Sequence, residues 1–156
     1  MRAERINKLA SFIKFLEDEG ILKFNISNFW HRLKLQKYVY IAGFFGFRHG
    51  YKYSMYIRGP YSVELADDYY ELSRRSIPAE KEIEFDKGNF IDFVKNKDGT
   101  WLEIAATALS IRDRYKYATS EEELENIVIN LTKRIKPFAS ERKIKNILTT
   151  FEELRG

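Results

Sequence analysis

Apolar residues recur at helical spacing through most of the chain. Ile6, Leu9, Ile13 and Leu16 fall on one face and predict a helix over residues 4–19, with Gly20 as its stop. A second helix is predicted from an N-cap at Ser27 or Asn28 to residues 45–46. Its first half is two-sided, with Trp30 and Leu33 opposite Arg32 and Lys34. From Tyr38 to Phe47 it is apolar nearly all round, the pattern of a helix inside a core. Gly43 is expected to admit a close-packed backbone.

Residues 51–57 change period. Tyr51, Tyr53, Met55 and Ile57 alternate with Lys52, Ser54 and Tyr56, which predicts a half-buried strand broken by Gly59-Pro60. Ser62 then caps a helix over 63–75 with Leu65, Tyr69 and Leu72 on its stripe. Residues 83–85 are expected to form a short strand pairing with 51–57, and 89–96 a short helix. Thr100 is the expected cap of a helix reaching residue 116. Ser120 and Glu123 match a capping box ahead of Leu124, Ile127, Val128, Leu131 and Ile135, and Pro137 ends that helix. Ser140 caps a last helix burying Ile144, Ile147, Leu148, Phe151 and Leu154. The predicted fold is mainly α: one compact multi-helix domain over residues 1–156, with six or seven helices and a small two-stranded β element.

Composition narrows the function classes. With no cysteine among 156 residues, disulfides, thiolate metal sites and a cysteine nucleophile are excluded. No apolar run approaches ~18 residues, so no membrane span or membrane partner is expected. The charged N-terminus lacks the pattern of a signal peptide, and the expected compartment is the cytoplasm. The net charge of +4 is unevenly spread. Residues 1–60 hold 11 Lys/Arg against 4 Asp/Glu, a net of +7, and the remainder 16 against 19, a net of −3. A basic half attracts acidic partners, although an ordinary solvated surface is the simpler account. One Gln, no Cys and abundant Lys, Glu, Ile and Tyr also fit a thermophile.

The residues for catalysis are scarce. His31 and His49 are isolated and expected at the surface; no H-E-x-x-H, no nucleophile elbow and no phosphate-cradling glycine loop occurs. Asp67-Asp68 are adjacent on a helix, so they do not share a face, and Glu121-Glu122-Glu123 suit a helix first turn. No cofactor or metal is expected, and no enzymatic activity. The aromatic density points elsewhere. Tyr51, Tyr53, Tyr56 and Tyr61 surround Arg58 in the chain, a composition shared by binding hot spots and by core edges.

Two blocks carry a resemblance. Lys34-Leu35-Gln36-Lys37-Tyr38-Val39-Tyr40-Ile41-Ala42 is followed by Tyr56-Ile57-Arg58-Gly59-Pro60-Tyr61-Ser62-Val63-Glu64-Leu65, then Asp68 and Leu72. This pair resembles the YwgA-like proteins and the Panacea antitoxin domain, which includes the SocA-type antitoxins. The resemblance covers residues 34–72. It implies a helical domain without a known catalytic centre that binds a protein partner, as an antitoxin against a toxin or as an adaptor to a protease. By position it implies Lys34, Gln36, Lys37, Arg58 and Tyr61 as partner contacts, with Gly59, Pro60 and Ser62 keeping the fold. The alternative is a DNA-binding regulator of winged helix-turn-helix type, with exposed Arg142, Lys143, Lys145 and Asn146 as its recognition surface.

Overall fold

A computed structural model describes residues 1–155. Among them are seven helices: α1 (Arg2–Asp18), α2 (Phe29–Gly43), α3 (Val63–Arg74), α4 (Lys87–Val94), α5 (Gly99–Tyr115), α6 (Glu121–Ile135) and α7 (Glu141–Arg155). The strands β1 (Ser54–Tyr56) and β2 (Gly59–Tyr61) form one antiparallel pair. The mainly α architecture with a small β element is therefore as the sequence predicts.

Local chemistry explains the helix starts. Asn28, Ser62, Asp86, Asp98, Ser120 and Ser140 each accept a backbone N–H three residues on. Such a cap contributes about 1 kcal/mol. Two expectations change here. The cap of α5 is Asp98, whose carboxylate accepts the Trp101 N–H at 2.8 Å, and Thr100 already lies inside the helix. At α6 the Ser120 half of the capping box forms, but Glu123 accepts a hydrogen bond from Thr119 Oγ1 at 2.7 Å. A hydroxyl one residue upstream thus takes the carboxylate.

The β element differs most from expectation. Met55 faces Pro60 and Tyr56 faces Gly59, so the partner of β1 lies just beyond a turn at Ile57-Arg58. Residues 83–85 are not a strand. Ile83 is buried, and Phe85 inserts its ring among Phe12, Phe15 and Phe47 at 5.4–5.9 Å. The short loop wins because its closure costs less entropy than pairing with a distant segment. Pro60 is tolerated because a two-stranded ribbon consists of edges, where a missing N–H costs little. The expected alternation also fails, since Ile57 at the turn is 93% exposed.

The core is organised around α5, which packs against α2, α6, α7 and β2. Ala105, Ala106 and Ala108 are fully buried, and their small side chains let the neighbouring helices approach. One buried cluster extends from Leu9 and Phe12 in α1 through Val39 and Ile41 in α2 to Phe151 in α7. Gly43 plays a different part from the one expected. A Cβ there would lie 3.0 Å from His49 Nε2, so it admits a side chain rather than a backbone.

Candidate protein-interaction surface

The two sequence blocks meet in space. Gln36, fully buried on α2, reads both backbone groups of Ser62: its Oε1 accepts the Ser62 N–H and its Nε2 donates to the Ser62 carbonyl, both at 2.8 Å. Ser62 Oγ then accepts the Leu65 N–H at 3.1 Å and starts α3. The next residue, Lys37, donates from Nζ to the Pro60 carbonyl at 2.5 Å. The block on α2 therefore holds the hairpin and the start of α3 in place. Gln36 and Lys37, expected as partner contacts, are 0% and 1% exposed and present no surface. Lys34 is half-buried, and Tyr61 is half-buried with its ring edge-on to Tyr56 at 5.5 Å.

Beneath the turn sits a buried ionic cluster. Glu103 of α5 accepts from Arg58 Nη1 at 3.0 Å through one carboxylate oxygen and from Lys136 Nζ at 3.3 Å through the other. Lys136, in the α6–α7 connection, also donates to the Ile57 carbonyl at 3.0 Å. Arg58 and Lys136 thus flank one carboxylate, with the Lys37 amine close by. Burial, together with Lys136 and Arg58, lowers Lys37 from 10.5 to about 7, against the opposing pull of Glu103. Gly59 completes the fit. Its φ is +89°, and a Cβ would sit 2.8 Å from Thr107 Oγ1, itself buried without a partner.

What this mount presents is aromatic and cationic. The Arg58 guanidinium lies over the rings of Phe29 and Trp30, 5.1 and 5.4 Å from their centroids. Phe29 meets Trp30 edge-to-face at 5.5 Å. Trp30 is seated on the first turn of α5, where a Cβ on Gly99 would come within 2.9 Å of its ring. Both aromatics remain 46% exposed, Ile57 stands beside Arg58 at the tip, and Phe138 is exposed two residues beyond Lys136. The expected ring of tyrosines around Arg58 is thus replaced by Phe29 and Trp30 of α2. Sequence reasoning missed these two, and also Glu103 and Lys136. Glu103 carried a signal, as a lone carboxylate in a helix otherwise apolar on that side.

A second buried cluster ties α3 to α1. Asp68, with no exposed side-chain surface, accepts from Arg5 Nε at 2.8 Å, Arg2 Nε at 3.0 Å and Tyr51 Oη at 2.7 Å. Burial works to raise this carboxyl, but the bonds from Arg5, Tyr51 and Arg2 outweigh it and hold it below 3.8. His49, expected at the surface, is half-buried, and its Nδ1 accepts the Tyr51 N–H at 2.9 Å. Burial drives it down to about 4, so it is neutral at physiological pH. His31 accepts the Asn25 N–H at 3.0 Å. Among the described residues no group of three acidic or histidine side chains is placed to hold a metal. On α7, Arg142, Lys143, Lys145 and Asn146 are exposed, with Lys145 3.6 Å from Glu125. No helix is long and apolar enough to cross a membrane.

Compared with known protein families, curated proteins and solved structures, the chain finds no match in any of the three.

Proposed function

We propose that this chain is a protein-binding module that engages its partner through the hairpin tip and the start of α2, in the manner of an antitoxin or an adaptor. The observation that carries this reading is the platform of Phe29, Trp30, Ile57 and Arg58. Trp and Arg are enriched in binding hot spots, and such residues contribute most when they are already held in their bound arrangement. Here Trp30 rests against Gly99, and Arg58 is tied to Glu103 and to both rings, so little side-chain freedom is left to lose. The resemblance to YwgA-like and Panacea antitoxin proteins supports a toxin or a protease as the kind of partner.

The test is co-purification from source cells with wild type and with Trp30→Ala/Arg58→Glu. A partner retained by wild type and lost by the folded double variant is expected; a partner held equally by both overturns the platform. The DNA-binding alternative rests on the exposed Arg142, Lys143 and Asn146 of α7. A salt-sensitive gel-shift complex lost on reversing these charges would favour it.

A further inference from the structure

A cavity of about 550 Å³ opens at the far end of α2 and α5, lined by Gly43 and Gly46 and walled by aromatic rings. It is separate from the hairpin platform. From Glu103, under the hairpin, to Asp113, at the cavity, α5 advances about 15 Å. Five rings form a continuous wall: Phe44 meets Tyr40 at 5.3 Å, Tyr40 meets Tyr53 at 4.8 Å, Tyr53 meets His49 at 5.8 Å, and His49 stacks on Tyr51 at 5.7 Å. Across from them stand Lys116 and Arg155, with one carboxylate, Asp113.

The polar groups are arranged with one sign in excess. Lys116 Nζ pairs with Asp113 at 2.7 Å, and the Arg155 guanidinium lies 5.3 Å over the Phe151 ring. The cavity lining therefore carries two cations and one anion. His49 adds a directed donor. Its Nδ1 accepts the Tyr51 N–H, which leaves the proton of the neutral ring on Nε2. That nitrogen has no hydrogen-bond partner among the described residues, and it lies beside Gly43, a lining residue with no side chain to cover it. Ring walls, one fixed donor and surplus positive charge together describe recognition of a flat ring bearing negative charge.

We infer that this cavity is a binding site for a planar aromatic anion, whose ring lies along the Tyr40–Tyr53 wall and whose carboxylate or phosphate reaches Lys116 and Arg155. His49 Nε2 donates to an acceptor on the ligand. A volume of this size holds a single-ring or fused-ring metabolite. Nucleoside monophosphates and aromatic carboxylates share this chemistry.

The test uses ligand-observed NMR on the full chain with five probes: AMP, anthranilate, adenosine, tryptamine and inorganic phosphate. At least one of AMP and anthranilate is expected to bind with a dissociation constant at or below about 1 mM. It should bind about tenfold tighter than adenosine, tryptamine or phosphate. Which of the two binds distinguishes a nucleotide from a carboxylate source. Arg155→Glu, a surface change, should weaken that binding about tenfold, and His49→Phe, which keeps the ring, should weaken it several-fold. Failure of both anions, equal binding of tryptamine, or binding untouched by both variants overturns the site. Trp30→Ala/Arg58→Glu should leave the affinity unchanged, which separates this result from the fate of the protein-binding platform.

Discussion

Asp68 and Glu103 are both buried carboxylates facing more than one cation, yet they do different work. Asp68 is closed. Its donors are the side chains of Arg2, Arg5 and Tyr51, and the result ties α1 and the 44–53 connection to α3. Glu103 is part of a relay to backbone. Lys136 divides its donors between Glu103 and the Ile57 carbonyl, and nearby Lys37 donates a hydrogen bond to the Pro60 carbonyl. The first cluster joins elements that the core already brings together; the second gives shape to a turn that has no core of its own. Buried charge thus acts in one place as a brace and in the other as a mount for an exposed surface.

The comparison breaks most sharply at Asp68. Asp68→Asn removes the charge that partly buried Arg5 and half-exposed Arg2 pair with, and should cost about 3 kcal/mol in chemical denaturation, the low end for a buried pair because both guanidiniums keep contact with water. Because its pKa is depressed in the folded state, the stabilisation is complete above about 3.8 and is lost as pH falls through the lower folded value. The difference between wild type and Asp68→Asn should therefore shrink in acid. Glu103→Gln should cost less, about 2–3 kcal/mol, since Lys136 and Lys37 keep their carbonyl acceptors. Its distinguishing sign is local: Trp30 fluorescence should shift as the tip loosens, whereas Asp68→Asn should leave it in place until global unfolding.

Lys37 sharpens the contrast through pH. Between about pH 7 and its ordinary 10.5, the unfolded chain holds a proton that the folded chain has released, so stability should rise across this window. Lys37→Met removes that slope, and the difference between the two denaturation profiles measures it. A slope of the opposite sign would show that the ammonium is favoured inside. The smallest effect on stability belongs to the platform. Trp30→Ala and Ile57→Ser should each change it by less than about 1 kcal/mol while abolishing partner retention.

Much of the fold was legible because helices announce themselves locally. Asn28, Ser62, Ser120 and Ser140 were readable as caps, and each of them caps. The hairpin was not readable, because Gly59-Pro60 signals a break and only the docking onto Glu103 and Thr107 makes it a strand. For the site, the structure brings the paired blocks into contact, but not as one shared surface. Gln36 and Lys37 face inward, a fact decided by α3 and the hairpin covering α2. The exposed partners of Arg58, Phe29 and Trp30, lie far from it in sequence and could be found only from the packing of α2 beside the turn.

The mount has one consequence for variation. Lys37 and Lys136 grip the carbonyls of Pro60 and Ile57, groups that every amino acid carries, and the Ile57 side chain takes no part in holding the turn. Position 57 is therefore an exchangeable tool head on a fixed shank. A different residue at the tip should therefore leave the fold as it is, provided the two lysines and the glycine at 59 remain.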